Sequence, residues 1–381
     1  MTSLRIGFDI RYLSHGLTGG VRTYVRQLAA VLPRLAPDDQ FFFYADDKAP
    51  LDLEAPPPNV TIRTLPWRSK LSSLWNDRAL AAWMSRDRVQ VAHFPGNYGP
   101  AGAYRLVVTV HDALNLFPMS EHLRGFGRTP SKVAMMLYLG SRTRAALRQA
   151  EMIITDSEFS RQDIATRGGI SADRIVTVHA AADARFRILP ADMLLRERAR
   201  LGLGGRVILA DGIKNPAVVV EAWRKLPDGL RAETQVVFFS REAAPRPELA
   251  ADLAAHPALR FLPRPSVDEL IVLMNLADVF VFPSYFEGFG LPIVESMQCG
   301  LPVVGSARGS IPEVVGDGGL IFPLEDTEVA AAQVRRVLED ADLQRTLRAA
   351  SLRRAGAFSW ERTAAATLEV YRRVSEARAA G

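Results

Sequence analysis

Short runs of β-branched and aromatic residues alternate with helix-length segments along almost the whole chain. This rhythm predicts parallel sheets wound on both faces by helices. In the first half the runs fall at residues 4–10, 41–45, 60–64, 89–93, 106–110 and 152–155, with helices starting near Val21, Leu71, Ser131 and Ser157. In the second half they fall at 207–210, 235–239, 260–262, 279–282, 303–304 and 320–322. Ser266-Val267-Asp268-Glu269 and Ser310-Ile311-Pro312-Glu313 read as helix starts, each a capping hydroxyl with an acidic residue three positions on. Ser359 reads as the N-cap of a last helix carrying Leu368, Val370 and Tyr371. Regular patterning lapses between 178 and 191. The chain therefore divides into α/β domains at 1–185 and 186–357, closed by a helix at 358–381.

Length agrees, since 381 residues exceed what one core usually serves, and 48% apolar content supports two. No run approaches 18 uninterrupted apolar residues, and the chain enters its first strand without a charged and apolar leader, which predicts a cytoplasmic protein. The single cysteine, Cys299, excludes an internal disulfide and a cysteine-rich metal site. Charge changes the picture more. Residues 1–190 hold 24 Lys plus Arg against 17 Asp plus Glu, a net +7, and the remainder hold 23 against 25, a net −2. The excess gathers at 67–88, where Arg68, Lys70, Arg78, Arg86 and Arg88 interleave with Trp67, Leu71, Leu74, Trp75 and Trp83, and again between Arg124 and Arg148. Such faces either are plain solvated helix surfaces or rest on anionic lipid at the inner face of a membrane. No nucleic-acid module accompanies them.

The candidate chemistry lies at 279–300. An apolar run closed by Pro283 reads as a strand buried on both faces, followed by the loop Ser284-Tyr285-Phe286-Glu287-Gly288-Phe289-Gly290-Leu291. Pro292 suits the first position of a helix, where its missing N–H costs nothing, and Cys299-Gly300-Leu301-Pro302 stops it. The N–H groups of Phe289, Gly290 and Leu291 then form an anion site at a helix start. Glu287 and Glu295 flank it and would repel a bare anion unless they accept hydroxyl hydrogens. Either glutamate alone is equally a loop or first-turn charge; the whole block points to a polyhydroxylated ligand carrying phosphate.

These residues resemble the retaining glycosyltransferases of family 4, whose fold is GT-B. The likeness runs from Pro283-Ser284 through Glu287-Gly288-Phe289-Gly290-Leu291-Pro292 to Glu295, and on through 299–304, 312–317 and Phe358-Ser359-Trp360-Glu361. It extends to Gly19-Gly20-Val21-Arg22, Val110-His111-Asp112 and 154–160 in the first half. It implies two Rossmann-like doubly wound domains facing a cleft, with the C-terminal helix returning to the N-terminal acceptor domain. The implied reaction moves a hexosyl group, mannosyl by the same likeness, from a GDP- or UDP-linked sugar to a glycan or lipid-linked oligosaccharide in cell-surface polysaccharide synthesis, with no metal and no other cofactor. Glu287, Phe289 and Gly290 would hold the donor sugar, Leu291 a phosphate and Glu295 the ribose. Lys214 would face the pyrophosphate, Gly20 the phosphates from the N-terminal side, and His111 the donor sugar.

Two departures stand out. The family's arginine just before the lysine is missing from Ala210-Asp211-Gly212-Ile213, leaving Arg264 as a candidate second cation, although its loop more often meets the base. The interdomain segment reads Ala180-Ala181-Ala182-Asp183 in place of an Asn-Gly pair. Competing readings are a nucleotide-sugar epimerase or hydrolase of the same fold and a non-catalytic nucleotide-sugar binding subunit. A Rossmann dehydrogenase is disfavoured, because Gly288, Gly290 and Ile293 break the Gly-x-Gly-x-x-Gly spacing. Asp340-Ala341-Asp342 mimics a metal-binding pair but falls in a loop between helices.

Overall fold

A computed structural model describes residues 3–15, 19–69, 72–118 and 129–376. Lys70, Leu71 and Arg124 of the basic segments lie outside the described residues. The chain forms two units, Met1–Ala180 with Ser359–Gly381, and Ala181–Phe358.

The first unit is built on seven parallel strands: β1 (Arg5–Asp9), β2 (Gln40–Asp46), β3 (Val60–Leu65), β4 (Val91–Phe94), β5 (Arg105–Thr109), β6 (Met152–Thr155) and β7 (Ile175–Thr177), in the order β3-β2-β1-β4-β5-β6-β7. Ile6, Phe8, Phe43, Val91, Val107 and Ile153 are fully buried, because helices cover both faces. β4 starts two residues later than its apolar run. Arg88 takes φ 51°, and the Val89 amide still donates to Met84 O at 2.9 Å, closing the helix Ser72–Arg86. β7 has no clear signal in the sequence, since three residues are too few to show alternation.

The last helix, Trp360–Glu376, packs on this same unit. Its start is capped as expected, with the Arg362 amide donating to Ser359 Oγ at 3.2 Å. Farther along it makes polar contacts that a buried face tolerates only when paired. Thr363 Oγ1 donates to His179 O at 2.7 Å, and Tyr371 Oη sits 2.7 Å from His93 Nδ1. The other ring nitrogen of His93 lies 2.7 Å from Thr109 Oγ1. Burial drives the His93 pKa down to about 3, with the nearby His111 adding to the shift, so this ring is a neutral tie between the helix and the sheet.

The second unit carries β8 (Arg206–Asp211), β9 (Thr234–Ser240), β10 (Leu259–Pro263), β11 (Val279–Phe282), β12 (Val303–Ser306) and β13 (Gly319–Phe322), all parallel, in the order β10-β9-β8-β11-β12-β13. Its core joins Ile208, Val236, Phe238, Val279, Val281 and Val304 with Val220 and Trp223 of the helix Pro216–Arg224 and Val334 and Leu338 of Thr327–Glu339. Ser266 forms the expected reciprocal cap: its Oγ accepts from Glu269 N at 3.2 Å while Glu269 Oε2 accepts from Ser266 N at 2.8 Å. Ser310 does not. Its backbone is already helical and its hydroxyl donates to the carbonyls of Phe289 at 2.9 Å and Glu287 at 3.1 Å, so a side chain read as a cap ties down the glycine loop instead.

In each sheet the winding direction reverses once, between β1 and β4 and between β8 and β11. Crevices beyond the carboxyl ends of strands at such reversals are where open α/β sheets take ligands. Among the described residues no helix is long and apolar enough to cross a membrane.

Candidate functional site

At the reversal in the second sheet, β8 and β11 end side by side, with Val281 opposite Ala210. Past β8, Asp211 turns the chain. Its carboxylate accepts from Ile213 N at 3.0 Å and its carbonyl from Lys214 N at 3.2 Å; then Asn215 at φ 53° opens the helix Pro216–Arg224. Past β11, the loop runs from Pro283 to Gly290 and enters the helix Leu291–Gln298. Gly290 sits at φ 94°, where an L side chain is strained, and a Cβ there would press on Ile293 at 3.0 Å.

The two loops meet through one ion pair. Lys214 Nζ lies 2.6 Å from Glu287 Oε1, with the side chains only 29% and 14% exposed. Ser284 Oγ donates to the same oxygen at 2.7 Å, and Ser306 Oγ anchors the loop by donating to Ser284 O at 2.7 Å. Gly309, at φ 58°, allows the next loop to close over Glu287, since a Cβ at that position would stand 2.7 Å from its carbonyl oxygen. Ser284, Ser306, Gly309 and Ser310 all support the site; in the sequence Ser284 stands out within the glutamate motif and Ser310 only as a helix cap.

Glu295 occupies the second turn of Leu291–Gln298. Burial raises its carboxyl to about 7, the Asp183 charge adds to the rise and Arg241 opposes it. Near neutrality such a group both accepts and donates, which suits a sugar diol. Burial likewise raises Asp211, against the pull of the Ile213 amide, Lys214 and Arg241. Phe289 is buried with its ring against Phe358 at 5.5 Å, leaving its backbone as the part that turns with the loop. Arg264 takes φ 48° just after β10, its amide donating to Ser240 O at 2.6 Å. Lys214, Arg264, Glu287, Phe289, Gly290, Leu291 and Glu295 thus all belong to the carboxyl edge of one sheet.

Gly20 and His111 belong to the first unit. Gly19 takes φ 123° and Gly20 begins the helix Gly20–Leu35, which places amide donors at a helix start. His111 follows β5. Its Nδ1 lies 2.6 Å from Asp156 Oδ2 and its Nε2 2.9 Å from Pro95 O, while Tyr24 packs edge-on at 5.0 Å. Both partners are acceptors, an arrangement that favours the protonated ring. Burial alone would lower its pKa; the Asp156 charge and hydrogen bond, the Pro95 carbonyl and Asp112 outweigh that and raise it.

A pKa raised on folding stabilises the protein fully below the unfolded value of about 6.5 and loses that contribution as pH climbs through the folded value. Thermal midpoints of the parent should therefore fall from pH 6.5 upward by more than those of His111→Gln. Parallel pH profiles for the two proteins would contradict the imidazolium.

Asp340 Oδ1 caps the helix Ala341–Ala355 through Asp342 N at 3.1 Å and Leu343 N at 2.9 Å. Among the described residues no cluster of three His, Cys, Asp or Glu is arranged to hold a metal.

Comparison with known proteins follows the same division. The model of Glycosyltransferase Family 4 matches residues 18–186, and that of Glycosyl transferases group 1 matches residues 210–354. O-antigen chain mannosyltransferase B of Escherichia coli is 31% identical over 300 residues, 76% of each chain. A D-inositol 3-phosphate glycosyltransferase of Salinispora arenicola is 34% identical over 245 residues, 58% of this chain and 55% of that one. Among solved structures, sucrose-phosphate synthase from Thermosynechococcus elongatus superposes with a TM-score of 0.74 at 21% identity, over 98% of this chain and 100% of that one, a likeness of fold.

Proposed function

The chain belongs to the glycosyltransferases of group 1 and family 4, and from that premise we propose that it moves a hexosyl group from a nucleotide diphosphate sugar to a hydroxyl of a glycan or lipid-linked oligosaccharide, with retention at the anomeric carbon. Mannose is the sugar and cell-surface polysaccharide the product that the likeness to O-antigen chain mannosyltransferase B favours. The observation that carries the reading is the Lys214–Glu287 pair at the sheet reversal, with Glu295 eight residues on in the adjoining helix. Lys214 meets the diphosphate and offsets the charge that grows on it as the bond to the anomeric carbon breaks. Glu287 and the backbone of Phe289 and Gly290 hold the sugar hydroxyls, Leu291 N–H a phosphate oxygen, and Glu295 the ribose diol. His111 and Gly20 keep the roles that the family resemblance implies, the one towards the donor sugar and the other towards a phosphate. The acceptor oxygen bonds to the anomeric carbon on the face the phosphate leaves, and its proton passes to the departing phosphate oxygen. Lys214 and the helix start supply the positive charge that a cation supplies in metal-dependent transferases.

Melting with GDP, UDP, ADP and TDP, without metal and beside Glu295→Ala, tests the donor site. A nucleotide at 100 times its dissociation constant stabilises a fold by about 2.7 kcal/mol. One nucleotide is expected to raise the midpoint of the parent well above that of the variant, and this names the base. If none raises it, the donor reading fails; if the donor sugar is consumed without any acceptor, the epimerase or hydrolase reading replaces it.

A further inference from the structure

A diphosphate set beside Glu287, Glu295 and Asp211 needs more positive charge than Lys214 provides, since Lys214 is already matched by Glu287 at 2.6 Å. The neighbouring loop supplies it. β9 ends beside β8 with Phe239 opposite Asp211, and the Gly212 amide donates to Phe239 O at 2.8 Å. On the other side, Arg264 N donates to Ser240 O at 2.6 Å. Arg241 leaves the sheet between these two ties and is exposed. Its neighbour Glu242 is anchored by its own amide to Ser240 Oγ at 3.0 Å and faces Arg246 at 3.6 Å, so it does not neutralise Arg241.

The Arg241 charge acts on two carboxyls that belong to different loops, Glu295 in the helix Leu291–Gln298 and Asp211 at the start of the Lys214 turn. Arg241 thus stands at the carboxyl edge beside the turn of Lys214 and within range of Glu295, the residues proposed for the leaving phosphate and for the ribose. A diphosphate joining ribose to sugar must cross the interval between those two residues. We propose that Arg241 is the second cation of the donor site and grips the diphosphate from the β9 loop, in place of an arginine next to Lys214. This rests on the glycosyl-transfer reading above. Arg264 follows β10, one strand farther from the Lys214 turn than β9, so it is left to the base end.

The test compares the parent, Arg241→Gln and Arg264→Gln by calorimetric titration with UDP and GDP, and with uridine and guanosine, which lack the phosphates. A charge-assisted contact predicts that Arg241→Gln weakens the preferred nucleoside diphosphate about 10-fold or more. Its affinity for the matching nucleoside should be unchanged, and Arg264→Gln should keep the full gain that the phosphates give. Where the nucleoside is too weak to titrate, charge reversal decides: Arg241→Glu must bind the diphosphate more weakly than Arg241→Gln. Unchanged diphosphate affinity in Arg241→Gln, equal losses for nucleoside and diphosphate, or equal affinities of the Gln and Glu variants would overturn the assignment and leave the donor site standing. A parent that does not prefer the diphosphate to the nucleoside removes both the assignment and the donor site beneath it.

Discussion

Lys214→Ala is expected to lower kcat by about 10²- to 10³-fold, the loss seen when one preorganised group that meets developing charge is removed. The size follows from position. Lys214 is only partly exposed, it is fixed at 2.6 Å from Glu287, and its backbone is locked by the Asp211 turn, so its ammonium needs no reorganisation as a phosphate oxygen gains charge. Because that charge grows as the bond to the anomeric carbon breaks, kcat should suffer more than KM. Lys214→Arg keeps a cation but moves it on a longer, planar head, and should recover part of the rate. Glu287→Gln gives the complementary result. It keeps hydrogen-bonding capacity towards Ser284 and sugar hydroxyls but frees Lys214 from its countercharge, so nucleotide should bind as tightly as in the parent or tighter while transfer slows. Single-turnover rates with a saturating radiolabelled sugar nucleotide measure both. A Lys214→Ala enzyme whose chemical step stays within a few-fold of the parent would remove Lys214 from the mechanism.

Much of this was legible in the chain because strands buried on both faces leave uninterrupted apolar runs. Val279–Phe282 and Met152–Thr155 were read to the residue for that reason. Glycine at positive φ marks a loop with equal clarity, as at Gly290. Tertiary partners leave no such mark. Ser310 has the local sequence of a cap, and only the fold shows that the carbonyls of Glu287 and Phe289 take its hydroxyl. Arg241 follows a strand in a stretch with no motif, and its relation to Glu295 and Asp211 exists only because β9 lies beside β8. His111 stands at a strand end as its sequence position suggests, yet the acceptors on both its nitrogens come from residues 16 and 45 positions away.

The same limit hid a charged network in the first unit, where substitution should have the largest effect on stability. Arg11, just past β1, pairs with Asp9 at 2.7 Å and with Asp77 of the helix Ser72–Arg86 at 3.0 Å; Asp77 in turn holds Arg142 of the helix Pro130–Gln149 at 2.6 Å. The side chains of Asp9, Arg11 and Asp77 are at most 10% exposed, so water can replace little of what they lose. Asp77→Ala leaves two guanidinium groups with one carboxylate, and breaking a buried pair from one side costs about 3–5 kcal/mol. For a unit of this size that corresponds to a midpoint lower by roughly 10 °C. Asp77→Asn preserves shape and removes only charge, so it should recover little. The exposed pair Arg196–Asp192, with both side chains over 70% exposed, is the control, and Asp192→Ala should cost at most about 1 kcal/mol. Scanning calorimetry on the three variants separates the cases: an Asp77→Ala protein that melts like Asp192→Ala would mean that water or a neighbouring group compensates Arg11 and Arg142, and that the helices Ser72–Arg86 and Pro130–Gln149 are fixed to the end of β1 by packing and not by charge.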